Sequence, residues 1–181
     1  MPFEEAKKWP RGTRKTNYYA ESLEEARQEQ CRDEELQKVV KAEDLPWDDC
    51  RQGKLKHLCN EKTNTRVKTV DIFIQEIPPG SRSGKHRHMA EEFLFVLEGK
   101  GYDLHWDVDF ELGEKYTWKI PQEPKRYDWQ EGDIVYIPVN TVHQHFNSDP
   151  NKTARFISGT NRMYKAMGFN DLEQFEDAPK N

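Results

Sequence analysis

The chain has 181 residues, enough for one domain with an extension and for a core that needs no disulfide staples. Hydrophobic and charged residues each make up 34%, and the net charge of −5 leaves no basic stripe for a nucleic-acid backbone. No apolar run is long enough for a bilayer span, so the expected partners include neither nucleic acid nor membrane.

The opening residues lack the charged-then-apolar pattern of a secretory leader. The three cysteines, Cys31, Cys50 and Cys59, are widely spaced, as expected of reduced thiols. Both features lead to the expectation of a cytoplasmic protein.

Residues 1–65 read as an irregular arm followed by a helix. Ser22 with Glu25 three residues on forms a capping-box pattern, which predicts a helix over about 23–43. Its apolar face is thin (Leu23, Ala26, Leu36, Val39 and Val40), so a surface or partner-facing position is expected. Leu45-Pro46-Trp47 ends it.

From about residue 66 the texture turns to β-branched and aromatic residues. Strands are predicted over 67–77, 93–97, 102–106, 116–120, 134–137, 142–147 and 154–158, separated by Gly- and Pro-containing turns. Short strands at regular spacing indicate an all-β sandwich or barrel over 66–160. The acidic and aromatic stretch 102–110 is expected as a hairpin arm at the rim. Residues 161–181 read as a tail with a brief helix capped by Asn170.

Four of the six histidines fall in two clusters, His86-Arg87-His88 and His143-Gln144-His145. In a strand, residues two apart share a face, so His86 and His88 project together. Glu92 can come round beside them after a short irregularity. By the same period His143, His145 and Asn147 share a face. Imidazole nitrogens with a carboxylate oxygen, converging inside a barrel, suit a divalent transition metal and leave positions open for water, substrate or O₂. An HxH pair by itself is weak evidence; the joint spacing is stronger. The first segment runs Gly80, five residues, His86, one, His88, three, Glu92, six, Gly99. The second runs Gly132, five residues, Pro138, one, Asn140, two, His143, three, Asn147.

These two segments resemble the two sequence motifs of the cupin superfamily, with Asn140 standing where the family usually has Gly. Asn tolerates left-handed backbone, so the turn is expected to survive. The resemblance implies a double-stranded β-helix (jelly-roll) barrel, here with an N-terminal helical extension. It also implies one divalent metal held by His86, His88, Glu92 and His143. Fe(II) is the first expectation, and Mn, Ni, Cu, Co and Zn are alternatives. A homodimer is its default assembly.

Around that centre, His145 is read as a proton shuttle or a buried, bonded histidine. On residues 102–106, either Tyr102 and Trp106 face inward or Asp103 and His105 do. Alternation leaves this open, with aromatic core as the commoner reading. His145, Tyr102 and His105 are thus the candidate catalytic groups. Arg82, Trp106, Asn147 and Arg155 are the candidate substrate contacts. His57, outside both clusters, carries no role. The resemblance implies a metal-dependent dioxygenase acting on a small organic substrate. The alternatives are a non-oxidative decarboxylase, isomerase or lyase, and a non-enzymatic binding or sensing module.

Overall fold

The computed structural model describes residues 17–32, 35–169 and 172–180. The chain divides into two compact units, residues 1–36 and 37–181. In the first, helix α1 spans Tyr18–Arg32 and buries no residue. It begins before the predicted start and ends earlier than 43. Asn17 caps it, its Oδ1 accepting from the Ala20 N–H at 3.3 Å. Ser22 instead lies within the first turns and bonds back to the Tyr18 carbonyl, so the capping-box pattern is not used as a cap. Residues 37–41 lie outside any helix, and only a 3-10 turn, Ala42–Asp44, precedes the strands.

The second unit is built of antiparallel strands: β1 Asp48–Cys50, β2 Gly53–Cys59, β3 Val70–Ile77, β4 Lys85–His88, β5 Glu92–Glu98, β6 Lys100–Trp106, β7 Asp109–Leu112, β8 Tyr116–Lys119, β9 Lys125–Gln130, β10 Ile134–Ile137, β11 Val142–Asn147, β12 Ala154–Asn161 and β13 Leu172–Glu176. One sheet has the order β1-β2-β3-β12-β5-β10 and the other β13-β4-β11-β6-β9, with β7-β8 a separate ribbon. This is the jelly-roll arrangement expected of the family.

Two strands, β1 and β2, join the first sheet before residue 66, and β13 joins the second after 160. Their sequences are polar because they pair at or near sheet edges. Strand β9 was hidden for the same reason: of its six residues only Trp129 is buried. The expected arm over 102–110 divides differently. Residues 100–106 belong to the main sheet as β6, and the ribbon is β7 with β8. The tail's four-residue helix α2, Met163–Ala166, comes earlier than expected, with Asn161 Oδ1 accepting from the Met163 N–H at 2.7 Å. Asn170 lies outside the described residues.

Alternation explains the core. Leu94 and Val96 on β5 point inward while Phe93, Phe95 and Leu97 point out. The inward set packs with Ile77, Trp129, Val135, Ile137, Ala154 and Phe156 between the sheets. Gly101 is required here: a Cβ would lie 1.9 Å from the Phe146 carbonyl oxygen and 2.5 Å from the Trp129 ring. Asn140 takes the left-handed conformation foreseen for it, with φ of 67°.

A candidate metal centre between the sheets

Pairing brings the two histidine clusters together. β4 lies beside β11 with His86 opposite His143, and β6 lies on the other side with His105 opposite His143. Glu92 begins β5 in the facing sheet, directly after the turn that follows His88. One ligand-type atom from each of His86, His88, Glu92 and His143 lies within 4.8 Å of every other. These four can hold one metal ion.

The proton positions sharpen that fit. His88 Nδ1 is 2.8 Å from the Ala90 carbonyl and His143 Nδ1 is 2.9 Å from the Thr141 carbonyl. A carbonyl only accepts, so each Nδ1 carries the hydrogen and each Nε2 presents a lone pair when the ring is neutral. Both lone pairs face Glu92 Oε2, at 2.9 Å from His88 and 3.5 Å from His143. Two ligands of one ion at about 2.1 Å and near-right angles sit roughly 3.0–3.4 Å apart, so this is the spacing of adjacent ligands. His143 Nε2 and His86 Nδ1 are buried without hydrogen-bond partners among the described residues.

Electrostatics agree. Burial, opposed in part by Glu92, pushes His143 down to about 4. Burial and the neighbouring imidazoles hold His86 well below its ordinary value. Both rings are therefore neutral donors at physiological pH. Burial works against ionisation of Glu92, and positive charge on the His143 and His88 side, whether a proton or an ion, outweighs it and holds the carboxyl low. Ser158 Oγ donates to Glu92 Oε1 and fixes the plane of the carboxylate. Sequence reasoning missed Ser158. The available signal was a polar run, Ser158 and Thr160, at inward positions of a strand whose neighbour Phe156 is core.

The other candidate residues separate. Asp103 and His105, not Tyr102 and Trp106, face inward with the histidines. Asp103 Oδ1 accepts from Trp129 Nε1 at 2.8 Å, while Oδ2 meets His145 Nδ1 at 2.9 Å and His105 Nε2 at 3.5 Å. Tyr102 stacks on Phe146 on the opposite face of the sheet, with Arg126 over its ring. The common aromatic-core reading fails here because the inward positions are taken by a polar network. Trp106 is buried under Lys85, whose Nζ is 3.8 Å from the ring centroid. Arg155, a candidate substrate contact, is turned outward by alternation with buried Phe156, onto Glu76 and Glu98. Arg82 lies near Glu176, at 3.9 Å. Asn147 fastens loops: its Nδ2 donates to the carbonyls of Ile77, Pro78 and Lys152.

A cavity of about 180 Å³ opens onto His86, His88 and Glu92. Leu55, Phe73 and Met89 give it apolar wall, and Asp71, Thr160 and Arg162 give it polar points. Its volume equals roughly six water molecules in the liquid. His105 and His145 do not line it.

Among solved structures, oxalate decarboxylase of Bacillus subtilis aligns with a TM-score of 0.55 at 15% identity, over 75% of this chain and 30% of that one. A second structure of that enzyme, at pH 4.6, gives 0.53 at 17% identity, over 65% and 28%. At such identity the likeness is one of fold. Sequence relatives include auxin-binding protein 4 of Zea mays, 35% identical over 91 residues (50% of this chain, 41% of the relative). Auxin-binding protein T85 of Nicotiana tabacum is 33% identical over 82 residues (45% and 40%). Auxin-binding protein 1 of Arabidopsis thaliana is 30% identical over 106 residues (58% and 50%). The aligned part thus spans half or less of each relative's length. The sequence profile of the Auxin binding protein family matches residues 28–162. With that match, on this barrel and with these two motifs, the chain belongs to the auxin-binding protein family of the cupin superfamily.

Proposed function

We propose that the chain binds one divalent transition-metal ion through His86, His88, Glu92 and His143, and uses it to hold a small anionic organic molecule in the adjoining cavity. The observation that carries this is the pair of imidazole lone pairs aimed at one Glu92 oxygen, which need positive charge between them. A bound dication supplies that charge and, with one carboxylate among its ligands, attracts an anionic head group to its open positions. His88 and His143 are held in the ligating tautomer by the Ala90 and Thr141 carbonyls, and Ser158 holds Glu92. Leu55, Phe73 and Met89 exclude water from the ligand's body. The auxin-binding names of the relatives support a small organic ligand. The test is elemental analysis of protein purified without added metal, followed by calorimetric titration with auxin before and after chelation. Binding that vanishes on chelation and returns with metal supports the reading; metal-free protein that binds equally well overturns it.

The second reading is a dioxygenase, with Fe(II) the first ion to test. It is favoured by four protein ligands, which leave two positions on a six-coordinate ion, one for substrate and one for O₂. Oxygen uptake by Fe(II)-loaded protein with a candidate substrate separates it from simple binding. The candidate acid–base groups His105 and His145 lie off the cavity wall, which supports binding first.

The chain pairs with a second copy. Phe93, Phe95, Ile134 and Tyr136 are exposed side by side on the outer face of β5 and the edge strand β10. Such an apolar patch at an open sheet edge supports a homodimer. The three cysteines are unpaired, which supports a reducing compartment such as the cytoplasm. No described helix is long and apolar enough to cross a membrane.

A further inference from the structure

We propose that Asp71, held in place by His57, is a second polar anchor of the ligand cavity and accepts a hydrogen bond from an N–H or O–H group at the far end of the ligand. This rests on the reading of the cavity as a ligand site beside the metal, and it names the class of ligand.

The strand register carries the inference. Glu92 on β5 pairs with Thr160 on β12, and Thr160 pairs with Asp71 on β3. All three are inward-facing and line one cavity. Neighbouring strands lie about 4.8 Å apart, so the backbone at Asp71 is roughly 10 Å from that at Glu92. A small molecule whose head sits at the metal ligands reaches Asp71 with its other end.

Asp71 is built to be met. Its residue exposure is 9%. Its Oδ1 takes His57 Nδ1 at 3.0 Å and Asn60 Nδ2 at 3.1 Å, which fixes the carboxylate without using the capacity of its second oxygen. His57 is itself braced by Phe73, with ring centroids 5.6 Å apart. The two cations on the same wall, Arg162 and Lys165, are engaged by Glu61 at 3.4 and 2.6 Å. A carboxylate only accepts, so the group that satisfies it must donate. Between head and donor the wall is apolar, through Leu55, Phe73 and Met89. The fitting ligand has an anionic head, an apolar body and a donor at the other end. A ligand with a wholly apolar end strips water from Asp71 and returns nothing, which is the contrast that gives such sites their selectivity.

The experiment uses three matched pairs of probes, so that the span is read out as well. They are benzoate and 4-hydroxybenzoate, phenylacetate and 4-hydroxyphenylacetate, and 3-phenylpropanoate and 3-(4-hydroxyphenyl)propanoate. Each is titrated calorimetrically into the full chain loaded with Zn(II). At least one hydroxylated probe should bind about tenfold more tightly than its partner, the value of one hydrogen bond to a charged acceptor. In Asp71→Ala, and in the shape-preserving Asp71→Asn, that advantage should fall below about threefold with zinc content unchanged, the unhydroxylated partner binding at least as tightly as before because the carboxylate it would desolvate is gone. Equal affinity within every pair, or an advantage that survives in Asp71→Ala, overturns the anchor and leaves the ligand site standing. No metal-dependent binding by any of the six overturns both.

Discussion

Arg87 donates from Nη1 to the side-chain oxygen of Asn140, across the gap between the strand that carries His86 and His88 and the turn that leads to His143. The backbone adds to the tie: the Asn140 N–H donates to the His88 carbonyl at 3.0 Å. Arg87 is 3% exposed, reaches Glu173 on β13 at 2.9 Å and lies over the Trp118 ring. Asn140 thus does two things that Gly could not combine. It accepts the left-handed φ, and it gives a buried guanidinium a partner.

The stability order wild type, Asn140→Gly, Asn140→Ala follows. Glycine relieves about 1 kcal/mol of backbone cost but loses a charge-assisted hydrogen bond worth about 1.5–3 kcal/mol. A net loss of about 0.5–2 kcal/mol is expected. Alanine loses the bond and keeps the strained φ, for a loss of about 2–4 kcal/mol. Urea unfolding midpoints check the order, and an Asn140→Gly protein at least as stable as wild type would sink the account.

Metal content should respond unequally to the proposed ligands and their support. His86→Ala and His143→Ala should each lose most bound metal while remaining folded. Ser158→Ala, which frees Glu92 Oε1 but removes no ligand, should weaken metal binding by about 10–100-fold. Competition against a chelator of known affinity measures this. Metal retained at wild-type affinity in both histidine variants would reject the ligand set.

The metal-free protein should lose stability between pH 6.5 and 4.5. The folded state holds His143 down to about 4 and His86 well below 6.5. The unfolded chain titrates both near 6.5, so across this window it binds more protons than the folded one. Stability therefore rises with pH here, and acidification removes it. For His143 the effect is on the order of 3 kcal/mol when complete near pH 4. Urea titrations of chelated protein at pH 6.5 and 4.5 test the sign; an unchanged midpoint contradicts it.

Removing the charge beneath the centre should be costly. Asp103 is fully buried and partners His145, His105 and Trp129. Asp103→Ala leaves these polar groups buried without it, for an expected loss of about 3–5 kcal/mol. Thermal unfolding of the metal-loaded variant measures the loss, and a shift of less than a few degrees would show the network to be dispensable.

The chain itself determined the barrel and the four converging residues. Period-two alternation fixes which side chains share a face, and glycine, proline and asparagine fix where the chain turns. Alternation put His86 and His88 on one face and His143 with His145 on another, and the likeness of the two segments to the cupin motifs singled out His86, His88, Glu92 and His143. Neither was enough to decide which face of β6 looks inward, because Tyr102-Leu104-Trp106 and Asp103-His105 alternate equally well. Only the pairing of β6 with β11, His105 opposite His143 and Asp103 opposite His145, chose the polar set. The edge strands β1, β9 and β13 were illegible for a related reason. An exposed strand is held by backbone hydrogen bonds to its neighbour, and these leave no hydrophobic pattern in its own residues. Asp71 gained its meaning the same way, since nothing in the chain near it tells that two strand pairings, through Thr160, lead to Glu92.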